Sequence, residues 1–318
     1  MANRYPMSIS KRRALLFSGQ GAQKVGMGAD LYERSPSAHA LYELADSRLG
    51  WPLSDYSFRG PAEILTETRV CQPALYVHGI AILAAFQDLT GRALPFQAAA
   101  GLSLGEYTAH AAAGSFTFQT GLDLVKERGR LMQEACDATA GTMVTLLGAT
   151  PEQAREIAGQ CGVDVANLNC PGQIVLSGGK REMEAVAAVA KERGVRKAIP
   201  LNVAGAYHSR LMASAAMGLA HYLTQAEIAA PKVPVVANYT ADITGGADQI
   251  LRALEAQVCG SVRWEESIRR LIGLGFTDFA ECGPGGVLAG LARRIDPAVN
   301  CLSLESCDDL VKHADALI

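Results

Sequence analysis

The sequence predicts an α/β protein in two parts, a large domain around a parallel sheet and a smaller α+β unit inserted into it. Two observations carry this. Short apolar runs alternate with longer helical patterns along most of the 318 residues, as in sheets covered by helices on both faces. One internal stretch instead runs strand, helix, strand, strand, helix, strand. No linker, low-complexity segment or repeat of about 20–50 residues breaks the pattern.

Taken in order, Ala14–Phe17 is an apolar run that stops at Ser18-Gly19 and predicts the first strand. Val77–Phe86 is the most apolar run of all, but His78 and Gly79 interrupt it, and a buried helix is expected there. Ala98–Ala100 predicts a second strand ending at Gly101. Thr142–Leu147 opens the internal stretch; Thr150 and Pro151 then supply an N-cap and a first-position proline for a helix. Val163–Asn169 and Gln173–Ser177 flank a Pro171-Gly172 turn, Arg181–Arg193 is a helix closed by Gly194, and Val195–Val203 is the last strand of the unit. Its β-α-β-β-α-β order is that of a ferredoxin-like unit. The insertion is placed at 139–206, within a large domain made of 1–138 and 207–318. Val235–Asn238 and Phe276–Glu281, the latter ending at Gly283-Pro284-Gly285, complete the large sheet.

Composition excludes several classes. With 49% hydrophobic and 19% charged residues and a formal net charge of −3, the chain has the balance of a soluble globular protein and shows no basic stripe for nucleic acid. Its eight cysteines are widely spaced and form no CxxC pair, so no zinc or dithiol site is expected and reduced thiols are. The N-terminus, MANRYPMSISKRR, is basic and lacks the apolar core of a signal peptide. No run reaches the roughly 18 uncharged apolar residues of a membrane helix. A cytoplasmic protein without membrane contact is expected.

The sharpest motif is Gly101-Leu102-Ser103-Leu104-Gly105, between a strand and a helical pattern. A Gly-x-Ser-x-Gly elbow needs glycines because side chains there would strike the neighbouring strand and helix, and it presents the serine Oγ at a helix N-terminus. This makes the large domain α/β-hydrolase-like and Ser103 the candidate nucleophile, with the N–H of Leu104 facing a developing oxyanion. A serine needs a base. His110 shares a helix face with Ser103 but sits about 10 Å further along the axis. His39 and His313 lie in polar segments, His78 reads as core, and His221 lies off the face of His208. His208, where the chain leaves the insertion, is the candidate base.

In one order the chain carries Phe17-Ser18-Gly19-Gln20-Gly21-Ala22-Gln23, Gln72-Pro73-Ala74-Leu75, Gly101-Leu102-Ser103-Leu104-Gly105-Glu106-Tyr107, Arg128-Gly129-Arg130-Leu131-Met132-Gln133 and Asn169-Cys170-Pro171-Gly172-Gln173. Ala206-Tyr207-His208-Ser209 and Gly283-Pro284-Gly285 follow. Together these resemble the malonyl-CoA:acyl carrier protein transacylases of bacterial fatty acid synthesis, from about residue 14 to 295. The resemblance implies malonyl transfer through a Ser103 ester, with His208 as base and the backbone N–H groups of Gln20 and Leu104 as oxyanion donors. It also implies substrate binding by Arg128, forked onto the malonyl carboxylate, and by Gln72. Acyl carrier protein and a coenzyme A thioester are the implied partners, with no cofactor or metal, and a monomer is expected.

The chain departs from the family pattern at Leu102, where histidine is common, and at Ser18 and Ala22 in the first motif. The family orients its histidine with a glutamine backbone carbonyl, and the segment Gly260–Trp264 places Arg263 in that role. Three other readings stand beside the first: an acyl hydrolase of the same fold, a separate acyltransferase serving polyketide synthesis, and a non-catalytic docking domain.

Overall fold

The structure, a computed structural model, describes residues 12–318; the basic segment read above as lacking a signal-peptide core falls mostly in 1–11, outside the described residues. The large sheet has six strands in the order β10-β9-β1-β2-β7-β8. These are β1 (Arg13–Phe17), β2 (Ala98–Gly101), β7 (Val235–Val236), β8 (Ile243–Thr244), β9 (Asp278–Cys282) and β10 (Asn300–Leu304). All neighbours pair in parallel except β7 and β8, which form an antiparallel edge. Successive residues of β1 point to opposite faces: Leu15 and Phe17 enter one apolar core, Ala14 and Leu16 the other. Burial on both sides explains why these strands read as unbroken apolar runs.

Between β2 and β7 lies the insertion, with β3 (Gly141–Leu147), β4 (Asp164–Cys170), β5 (Gln173–Gly179) and β6 (Lys197–Pro200) in the order β4-β5-β3-β6. Every pair is antiparallel, which is the ferredoxin-like arrangement the sequence order predicts. Its first helix, Pro151–Cys161, starts with a capping box between Thr150 and Gln153. The expected helix at 181–193 comes as two pieces, Lys180–Glu184 and Val186–Glu192, meeting at Ala185. The last strand is shorter than the expected Val195–Val203. It starts two residues later than expected, and at its end Pro200 has no N–H to give the ladder. The Leu201 N–H still reaches the Met143 carbonyl at 2.9 Å before the regular pairing ends, on an edge where proline is tolerated.

The insertion sheet is two-faced. Val144, Leu146, Ile174 and Leu176 pack in its own core. Met143, Thr145, Gln173 and Val175 alternate with them and line a cleft over the large sheet. The expectation that no run is long and apolar enough to cross a membrane is corrected by the helix Thr68–Thr90, which among the described residues is long and apolar enough. In the protein 78% of its apolar window is buried, in line with the buried helix expected at Val77–Phe86.

Candidate active site

The site forms at the carboxyl ends of β1 and β2, where ligands of open α/β sheets gather. β2 is built of alanine and glycine, and the helix Gly105–Ala112 follows it after three residues. A Cβ at Gly101 would collide with the backbone of Gly105, and one at Gly105 with the backbone of Phe17, so both elbow glycines are required. Ser103 itself is left-handed, with φ of 54°. That costs a non-glycine residue energy and persists only where the surroundings enforce it. Enforcement comes from distant side chains. The Ser103 N–H donates to Asn238 Oδ1 at 2.6 Å, Asn238 Nδ2 donates to the Gly101 carbonyl at 2.8 Å, and Gln257 Nε2 donates to the Ser103 carbonyl at 2.9 Å.

His208 reaches the serine from across the cleft. Its Nε2 lies 2.7 Å from Ser103 Oγ, and its Nδ1 lies 2.8 Å from the Gln257 carbonyl. A carbonyl can only accept, so Nδ1 carries the proton and Nε2 offers the lone pair. Burial, with Arg128 nearby, pushes the imidazole down to about 4 and keeps it neutral near pH 7. The orienting carbonyl is therefore that of Gln257, and the expectation for Arg263 is corrected: Arg263 pairs with Glu266 at the start of another helix. His110 is buried against Ser115 and His39 stacks on Tyr32, so neither competes as base.

Arg128 is 1% exposed and lines the cleft. Its Nη2 donates to Ser103 Oγ at 3.0 Å and to Gln257 Oε1 at 2.9 Å, and its Nη1 to Gln72 Oε1 at 2.5 Å. All these partners are neutral; among the described residues it has no ion pair, and its Nε has no partner. Burial lowers its pKa, while Tyr107 and Glu106 oppose the shift. Gln72 does not border the cleft. It is buried behind Arg128 and continues through Thr68 Oγ1, at 2.9 Å, to Gln20 Oε1, 2.8 Å further on. Direct substrate contact is thus replaced, for Gln72, by a hold on the arginine.

Gln20 follows β1 and borders the cleft beside Ser103. Neither its backbone N–H nor that of Leu104 meets a protein acceptor among the described residues, which leaves both free for an oxyanion. The cleft measures about 670 Å³ and is roofed by Met143, Thr145, Asn167 and Val175 of the insertion. Leu102 lies at its wall, half-buried.

Sequence reasoning missed Asn238, Gln257 and Glu106. Glu106 is fully buried, and burial pushes its carboxyl up to about 7 against the pull of its Asn238 and Gln257 donors. For Gln257 a signal existed. In the helix Ala247–Cys259 the buried stripe is Ile250, Ala253, Leu254, Gln257 and Val258, so a glutamine sits where an apolar residue is expected.

A serine whose proton has a neutral imidazole to go to, beside unclaimed backbone N–H groups, can accept an acyl group and pass it on. These features define an enzyme of the serine acyl-transfer class. Comparison with known proteins narrows it. The model of the family described as "Acyl transferase domain" matches residues 14–289. The chain is 42% identical over 296 residues to the malonyl CoA-acyl carrier protein transacylase of Bacillus subtilis (strain 168), covering 92% of each. It is similar to the crystal structure of acyl-carrier-protein-S-malonyltransferase from Bartonella henselae, with a TM-score of 0.92 and 35% identity over 96% of this chain and 99% of that one. It also matches PlMCAT, solved with a type II PKS acyl-carrier protein, at a TM-score of 0.91 and 34% identity, covering 96% of this chain and 100% of that one. The chain belongs to the acyl transferase domain family and, within it, to the malonyl CoA-acyl carrier protein transacylases.

Proposed function

We propose that this acyltransferase moves a malonyl group from malonyl-CoA to the phosphopantetheine thiol of an acyl carrier protein, through an ester on Ser103, in cytoplasmic fatty acid synthesis. The observation that carries the proposal is Arg128, a buried guanidinium that among the described residues has only neutral hydrogen-bond partners, 3.0 Å from the nucleophile. A malonyl group supplies that carboxylate, and a planar fork holds it better than a lysine would.

The chemistry follows from the contacts. His208 Nε2 takes the Ser103 proton as Oγ attacks the thioester carbonyl, and the N–H groups of Gln20 and Leu104 hold the oxyanion, at about 3 kcal/mol for each donor. The C–S bond breaks, and the departing thiolate takes the proton from His208. Acylation ends the need for the Arg128 bond to Oγ and releases that N–H toward the carboxylate. The carrier thiol then gives its proton to His208, attacks the ester, and Ser103 recovers its proton as it leaves. None of these steps calls for a metal or redox group.

The same steps serve a polyketide carrier, and the likeness to PlMCAT in complex with such a carrier supports that second setting. Mass spectrometry after mixing with malonyl-CoA tests the proposal. A malonyl adduct on Ser103 that persists without carrier and disappears on adding fatty-acid-type carrier protein is expected. Release of free malonate at the same rate without carrier would make the chain a hydrolase.

A further inference from the structure

Glu106 opens the helix after the elbow, is fully buried, and takes no part in the proton transfers above. Two donors converge on its Oε2: the Asn238 N–H at 3.0 Å and Gln257 Nε2 at 2.6 Å. These are the residues that grip the Ser103 peptide from its two sides, and Gln257 also holds Arg128 and His208. Oε1 has no partner among the described residues.

Resting on the acyl-transfer reading, we propose that Glu106 is a positioning residue. Through one carboxylate oxygen it sets Asn238 and Gln257, and through them the left-handed serine and the direction of Arg128. The role needs an acceptor with two lone pairs at that point. A glutamine can place its carbonyl there, with its amide where Oε1 now stands. A leucine fills the volume and strands two buried donors, which then turn toward other acceptors and release the elbow. An aspartate keeps charge and lone pairs but draws the oxygen back by about 1.5 Å, one C–C bond.

The test measures three things in E106Q, E106D and E106L: the rate at which a fluorophosphonate probe labels Ser103, kcat and KM for malonyl-CoA and acetyl-CoA with carrier present, and the unfolding midpoint. E106L is expected to lose about 100-fold in labelling and kcat, the cost of a misplacement near 1 Å. Its malonyl over acetyl preference should fall as well, because Arg128 loses the held amide. E106Q is expected to recover most of both. E106D should lose labelling rate while its midpoint stays near the parent's. Parent-like labelling in E106D and E106L would overturn the proposal. So would losses that follow the folded fraction alone, with the malonyl to acetyl ratio unmoved. Should the parent fail to take malonyl at all, the functional reading fails, and the fluorophosphonate rates still decide the role of Glu106.

Discussion

Ser103 and His208 share an unusual backbone, each with φ of 54°, yet the two turns are made in different ways. The serine turn is squeezed between close-packed glycines whose places are written in five consecutive residues. The histidine turn has no such frame. It is closed by Ser209 Oγ on the Ala206 carbonyl at 2.6 Å and fixed from afar by the Gln257 carbonyl. One half of the dyad is a local motif and the other a tertiary agreement, and Gln257 belongs to both: its side chain serves the serine, its backbone the histidine. Both strained turns are therefore held from a distance, and what differs is that the serine turn also carries a local glycine signature, the only part read easily from sequence.

The comparison can be broken most severely at its chemical centre. Ser103→Ala should abolish the malonyl adduct and cut transfer by about 10⁶, the scale seen when a serine nucleophile is removed. Its melting temperature should stay near the parent's, because an elbow serine contributes little packing; mass spectrometry and calorimetry check both. An adduct in this variant would remove Ser103 from its role.

Smaller, and confined to the histidine half, is the effect of His208→Ala. Both half-reactions should slow by about 10²–10⁴. His110→Ala should leave the rate per folded molecule near the parent's. Pre-steady-state acylation and carrier transfer measure the pair, and a reversed pattern would move the base to His110.

The distant half also predicts acid sensitivity. The folded state refuses a proton on His208 until about pH 4, whereas the unfolded chain accepts one near 6.5. The unfolded state binds more protons between these values, so stability is full above that window and falls as pH drops through it. His78 and His110, pushed by burial to about 4 and about 3, act in the same direction. Urea midpoints at several pH values read this, while acylation should keep its neutral base down to about pH 5.

Arg128→Ala bears on what the shared pocket selects. A site built for a carboxylate discriminates against the analogue lacking it by up to about 10⁴, and removing the guanidinium should narrow the malonyl to acetyl ratio from that range toward one. A parent ratio near one would take the malonyl assignment down. The least effect is expected beside the serine. Leu102→His should change the rate by less than about tenfold, a barrier change under about 1.4 kcal/mol, since the imidazole there is not the base.

The elbow, the strand order of the insertion and the partnership of Ser103 with His208 were legible, each from residues close in sequence or from family resemblance. The orienting carbonyl was placed wrongly at Arg263, six residues from Gln257, because a backbone carbonyl leaves no mark in side-chain sequence. Asn238 and Glu106 went unread for another reason. They meet across 132 positions, and an asparagine at a strand end or a glutamate at a helix start is ordinary by itself. Gln72 was found and given the wrong neighbour, since burial behind Arg128 is a tertiary fact. The last strand of the insertion is shorter than expected at both ends, and the meaning of Pro200 at its end depended on β6 being an edge.

The two faces of the insertion sheet lead somewhere else. Val144, Leu146, Ile174 and Leu176 keep the unit folded, while Met143, Thr145, Gln173 and Val175 look into the cleft. The insertion's own core and the wall of the cleft are thus written on alternate letters of the same two strands, although Met143 and Val175 on the cleft side also pack into the core of the large domain. Thr145 and Gln173 can be rewritten with the insertion's own core left untouched, whereas Met143 and Val175 carry packing as well as a place in the cleft wall. The shape of the cleft over the dyad can thus change at Thr145 and Gln173 without altering the residues that hold Ser103 and His208.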